Sequence, residues 1–378
     1  MIGVGKIGIA ASRGGAGVPP NPDFVTVWNV ASDGEVVTLP LESAGTFSGT
    51  IDWGDGGATS TLSYANRQHT YATAGTYTIT ISGDTLQGWA FKNTGDKLKI
   101  TDVSNWGFFE FDRTRMFQGC SNMDVSALDI PTISTTDFSS QFYQTGIGVV
   151  NWSAWDMTGV TSYSMCFMLS SSFNGDIGGW VTSSTTNISS MLNGCSSFNK
   201  PLSSWDTSGV TDAQNVLANA DAFDSSVANW TLNGTWFRPF NGCDAFTGIG
   251  VDTWDTSGLS DARNLFVNCV LFNGDTSGWN TSSLLNASNM FYNCGSYDQD
   301  MSGWDINQVT NFLSFCFGVT LSTANYDALL IAWDAQGAMS YSGTVNFGAS
   351  KYTAGGAAEA ARTSLISKWG GITDGGAA

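Results

Sequence analysis

The chain has 378 residues, 14 basic against 32 acidic side chains, a formal net charge of −18, 45 glycines, 7 prolines and 13% aromatic residues. Such acidity disfavours nucleic acid, whose phosphates are held by Lys and Arg, and the plentiful aromatics with few charges argue against disorder. No apolar run approaches the roughly 20 residues of a membrane helix. Seven cysteines with a single histidine, His69, and no C-x-x-C pair argue against a Cys/His zinc site and for buried free thiols.

Residues 1–24 begin MIGVGKIGIAAS. Ile2, Val4, Ile7 and Ile9 alternate with glycines, which suits an extended arm docking on a neighbour's sheet or groove. The apolar stretch is too short and too broken for a secretory signal.

Residues 25–85 read as a β-sandwich. TVWNV, VVTLPL, FSGTIDWG and GTYTITISG alternate like strands, and GDGG at 54–57 and TAG at 73–75 supply turns. Asp52 and Asp55 are the metal-ligand candidates, with Ca2+ as the cation; turn chemistry is the competing reading.

Residues 86–320 are dominated by a repeat of about 25 residues. Its anchor is Trp155, Trp180, Trp205, Trp230, Trp254, Trp279 and Trp304, with Trp106 and Leu128 as degenerate earlier anchors. Five residues on stand Val160, Val210, Leu259, Leu284 and Val309; fifteen on, the small residues Ser170, Cys195, Ala220, Cys269 and Cys294; eighteen on, Phe173, Phe198, Phe223, Phe272 and Tyr297. A unit this short cannot bury its apolar face alone, so the columns predict stacked copies and a structural Trp ladder. The stretch VTDAQNVLANA has helical spacing, with Thr161, Thr186, Thr211, Ser260 and Thr310 as N-caps, and FNGDTSGW suits a short strand.

The Asp after the anchor recurs as Asp129, Asp156, Asp206, Asp255 and Asp305, with Asn280 in one copy. Paired carboxylates one copy apart approach the spacing of a retaining glycosidase, about 5–5.5 Å. Asn makes the same turn bond without charge, so Asn280 favours an Asx-turn. Trp152, Trp236, Phe237, Tyr292 and Trp333 are off-register aromatics and therefore the candidates for ligand binding. The copy at 230–246 is irregular, with TWFRPF inserted. Residues 321–378 hold two helical patterns, STANYDALLIAWDAQG and GGAAEAARTSLISKW, around GTVNFG, and read as a cap.

IDWGDGG with HTYATAGTYTITISG resembles a PKD-type immunoglobulin-like domain, with its W-G-D-G turn and H-x-Y strand. FNKPLSSWDTSGVTD and its copies resemble the BspA-like leucine-rich-repeat surface proteins, whose repeat also occurs in mycoplasma lipoproteins and phage genomes. The resemblance implies a β-sandwich followed by an α/β leucine-rich-repeat-like solenoid with a helical C-terminal cap. It implies surface exposure and adhesion, and carries over no catalytic residue.

These observations together lead to the expectation of a non-enzymatic structural or adhesive protein without a cofactor. A phage virion component (a decoration protein, fibre or tail-tip adhesin) reconciles surface-type domains with an initial Met, no readable export signal and free Cys. Its partners would be other virion or surface-assembly proteins, through residues 1–24, a host-surface glycan or protein, and further copies of the chain in a homo-oligomer. An exported bacterial cell-surface adhesin is the alternative, and a polysaccharide-degrading spike the third reading.

Overall fold

The structure is a computed structural model that describes residues 22–148, 152–337 and 340–378. The expected docking residues Ile2, Val4, Ile7 and Ile9 lie outside the described residues.

The N-terminal part is built from β1 (Phe24–Val30), β2 (Val36–Thr38), β3 (Leu41–Asp52), β4 (Ser60–Thr61), β5 (Gln68–Thr70), β6 (Gly75–Trp89) and β7 (Ile100–Asn105). Then come β8 (Glu110–Phe111), β9 (Asp124–Val125) and β10 (Thr132–Ile133). One six-stranded mixed sheet has the order β4-β3-β6-β1-β7-β9. In it β1 pairs antiparallel with β6, Trp28 opposite Tyr77, and β7 pairs parallel with β9, Asp102 opposite Asp124. β2 and β5 form a separate antiparallel pair, and β8 and β10 a parallel one. β1 is rich in Val and Thr and sits mid-sheet with Phe24 and Trp28 fully buried, as β-branched and aromatic residues in a covered strand do.

The repeats hold neither the expected helices nor the expected strands. Residues 163–170 form a continuous run of turns, with Met165 and Leu169 both left-handed at φ 55° and 61°. The same pair of left-handed positions, four apart, recurs at Asn215 and Asn219, Asn264 and Asn268, and Asn289 and Asn293. A left-handed residue at every fourth position interrupts an α-helix before it closes a second turn. Apolar residues at helical spacing thus lie on a succession of turns.

The backbone groups that a helix would pair internally pair between copies instead. Alternate N–H groups of Tyr163, Met165, Phe167 and Leu169 donate to the carbonyls of Asn187, Ser189, Met191 and Asn193 in the next copy. The intervening Cys166, Met168 and Ser170 donate three residues back, so this buried segment leaves few orphans. Isolated parallel bridges join Ser162 to Asn187 and Asn187 to Asp212. The residues expected as N-caps serve the same stacking: the hydroxyls of Thr161, Thr186, Thr211 and Thr310 donate to the carbonyls of Thr136, Thr161, Thr186 and Leu285.

The chain closes with α1 (Thr323–Asp334), β11 (Thr344–Asn346), α2 (Ala357–Lys368) and β12 (Gly371–Thr373). Ser322 caps α1 by accepting from the Asn325 N–H. β11 and β12 pair in parallel, Val345 opposite Ile372.

The expected fold class therefore needs correction. In place of the expected sandwich of residues 25–85, β1, β3, β4 and β6 enter one six-stranded mixed sheet that also recruits β7 and β9 from beyond that boundary, with β2 and β5 as a separate pair. In place of an α/β solenoid with a helical cap there are small mixed sheets and turns, and among the described residues the only α-helices are two of 12 residues at the C-terminal end. The anchor assigned to Leu128 is also wrong: its side chain is 95% exposed, and Ala127 takes the buried position.

Candidate functional site

The seven anchor tryptophans from Trp155 to Trp304 are buried. Each indole from Trp180 onward donates Nε1–H to a backbone carbonyl of the preceding copy: Trp180 to Trp152, Trp205 to Ile177, Trp230 to Leu202, Trp254 to Val227, Trp279 to Val251 and Trp304 to Thr276, at 2.7–3.0 Å. Trp333 of α1 does the same to Met301 at 2.9 Å. The rings also stack, Trp254 on Trp279 at 5.5 Å and Trp279 on Trp304 at 6.2 Å. Their faces therefore meet one another inside the protein.

The Asp beside each anchor closes a turn. Oδ1 of Asp156, Asp206, Asp255 and Asp305 accepts the N–H two residues on, at 3.0 Å in each case. Asn280 makes the same bond to Ser282 at 3.2 Å. Asp129 instead accepts from Trp106 and Gly107 across the first turns. Hydroxyl donation from Thr158, Ser208 and Ser257, followed by the backbone N–H, holds Asp156, Asp206 and Asp255 below the usual carboxylate pKa. A carboxylate so stabilised is a poor general acid, which needs a raised pKa.

All seven cysteines are free and buried. Cys195, Cys243, Cys269 and Cys294 donate Sγ–H to the carbonyls of Phe167, Leu217, Phe240 and Phe266 at 2.9–3.0 Å. Ser170 makes the same contact to Phe142, which explains why Ser shares this column. Burial pushes these thiols well up, away from the nucleophilic thiolate.

At the N-terminal motif, Asp52 accepts from the Gly54 N–H and Asp55 from the Gly57 N–H. The other Asp55 oxygen meets His69 Nε2 at 2.8 Å, and that ring stacks on Trp53 at 4.9 Å. The two candidate ligands thus serve a turn and a histidine. Among the described residues no group of three or more His, Cys, Asp or Glu converges on a metal-sized space.

The off-register aromatics divide. Trp152, Trp236 and Trp333 are fully buried, so their expected role as surface binders is corrected: Trp152 in a short turn before its anchor, Trp236 in the irregular copy and Trp333 on α1 all fill the core. Phe237 is half-buried, with the guanidinium carbons of Arg238 and Arg263 at 4.8 and 5.3 Å from its ring centroid. Tyr292 is half-buried and stacks in parallel on Phe317 at 4.7 Å, Phe317 being 44% exposed. Sequence reasoning missed Arg238, Arg263 and Phe317. Phe317 lies 25 residues after Tyr292, so the repeat itself carried the signal.

Between repeat copies the inter-copy ladder is interrupted at a seam after the copy of Trp230. Four N–H···O=C bonds join the copy of Trp205 to the next, from Ala213, Asn215, Leu217 and Asn219. The following junction keeps one of these four, Gly242 to Val267: Thr235 bridges Asp212 from 23 residues on, where Ser162, Asn187 and Asp212 stand 25 apart, so this copy is shortened where an insertion was expected. Two other bonds compensate, Asp255 to Trp230 and Leu232 to Asp255.

Two open cavities have walls that are more apolar than polar. One of about 560 Å3 lies between copies beside Asp176, Ser204 and Asp206. Another of about 310 Å3 lies where the last copy meets β11 and β12, beside Phe317 and Asn346.

A family model described as "Mycoplasma protein of unknown function, DUF285" matches residues 136–237 and 235–349, together more than half of the chain. The chain belongs to that family. The two matches meet at the seam. No curated protein and no solved structure matches the chain.

Proposed function

We propose that this is a non-enzymatic structural and adhesive protein of the BspA-like surface type, displayed on an outward-facing assembly. The observation that carries the reading is the engagement of the recurring chemistry. The Trp indoles, the Asp carboxylates and four Cys thiols each hold a backbone group of the stack. Chemistry that recurs with the scaffold serves the scaffold, and ligand contact falls to groups that vary between copies. A bacteriophage particle is the setting we favour, because seven buried free thiols suit folding in a reducing compartment before display. Residues 1–24 would attach the chain to its neighbours. A bacterial cell-surface adhesin is the second reading, favoured by the mycoplasmal description of the family.

The test is cross-linking mass spectrometry on the native assembly, with binding of the labelled full chain to host cells. The reading expects neighbours from a virion or surface assembly cross-linked through residues 1–24, and saturable cell binding. A chain that is free in the cytosol and binds no cell would overturn it.

A further inference from the structure

We propose that the cavity between the last repeat and the β11–β12 pair is a binding subsite for a neutral pyranose ring of a surface glycan. This deepens the adhesive reading above and rests on it.

The cavity has about 310 Å3 of space, and none of its lining residues is charged. One wall is Phe317, which is 44% exposed and stacks on the parallel ring of Tyr292 at 4.7 Å. A flat apolar face backed by a second ring suits the C–H face of a sugar. The polar groups around it are Thr320, Asn346 and Thr373. Oδ1 of Asn346 is fixed by the Gly348 N–H at 2.8 Å, which orients the amide. Within the described residues the Asn346 amide nitrogen and the hydroxyls of Thr320 and Thr373 make no hydrogen bond, so donors and acceptors remain for sugar hydroxyls. At this column the preceding copies carry Ala218, Asn241 and Val267, so the aromatic pair arises only at this end of the stack. Uncharged walls on a protein of net charge −18 favour a neutral sugar over an acidic one.

The test is a glycan array probed with the labelled full chain, followed by titration of a retained glycan into parent, Phe317→Ala, Thr373→Val and Ile130→Ala proteins, Ile130 being an exposed apolar residue outside the cavity. Thermal unfolding checks that each variant is folded. The proposal expects retention of at least one neutral hexose-bearing glycan, a loss of about tenfold or more for Phe317→Ala, a smaller loss for Thr373→Val, and no change for Ile130→Ala. Retention of acidic glycans alone, no retention at all, or parent-like binding by folded Phe317→Ala would overturn it. If those outcomes occur while cell binding persists, the subsite fails and the adhesive reading stands; if cell binding is absent too, both fail.

Discussion

The indole Nε1 of Trp205 donates to the carbonyl oxygen of Ile177, 28 residues earlier, at 3.0 Å. Every anchor from Trp180 to Trp304 repeats this relationship, so a single side chain both fills the core and ties its copy to the one before. Trp205→Phe keeps most of the ring but leaves a buried carbonyl without a donor. That change should cost about 2 kcal/mol in urea unfolding, from the orphaned acceptor and lost volume together. Parent-like stability would mean that the bond contributes nothing.

The turn carboxylates make a graded prediction. Asp206→Asn preserves the acceptor for Ser208, as Asn280 does naturally for Ser282, and should be near neutral at pH 7. Asp206→Ala loses the turn bond and should cost about 1 kcal/mol. Because the folded pKa of Asp206 lies below its ordinary value of 3.8, its contribution is present above that value and is lost as pH falls through the folded one. Asp206→Asn should flatten that part of the acid-unfolding curve.

The thiols should be silent until the chain unfolds. All seven cysteines are buried and unpaired, so a thiol reagent should label almost none in native buffer and seven per chain in denaturant. Cys195→Ser should be tolerated better than Cys195→Val, since Ser170 already makes the equivalent bond to Phe142. Denaturant curves of the two variants check the order.

A buried ion cluster ties the C-terminal elements together, beside the more exposed pair of Lys368 and Asp334 at 2.8 Å. Asp374, whose side chain is 2% exposed, accepts from Arg362 at 2.7 and 3.0 Å and from the Tyr326 hydroxyl at 2.7 Å, linking α1, α2 and the tail. Burial alone would raise its pKa, but the bonds from Arg362 and Tyr326 leave it lowered. Asp374→Ala strands the guanidinium and should cost about 3 kcal/mol. In the parent this contribution is present above the ordinary carboxylate range and lost as pH falls below it. A variant unfolding like the parent would refute this role.

The repeat length, the buried columns and the turn role of the recurring Asp were legible because they follow from side-chain identity at fixed spacing. The backbone conformation was not. VTDAQNVLANA has the apolar spacing of a helix, and only the Asn pair at 215 and 219, both suited to a left-handed backbone, marks the run of turns. Met165 and Leu169 adopt the same conformation with no such mark, so tertiary stacking overrides local preference there. Asn215→Gly should therefore be tolerated, and Asn215→Ala should cost about 1 kcal/mol, the reverse of the order in a helix. Of the surface groups, Phe237 and Tyr292 were visible as off-register aromatics. Trp152 and Trp236 were misread because an aromatic outside the repeat columns can still pack on an anchor, as Trp152 does on Trp155 and Trp236 on Trp230.

The most direct test of the claim that the Trp-Asp repeat is scaffold uses the double variant Asp206→Asn with Asp255→Asn. Cell binding and release of reducing sugar from host glycan are measured on the same preparations of parent and variant. The account predicts equal saturable binding and no sugar release by either protein. Release by the parent that the folded variant loses would contradict it.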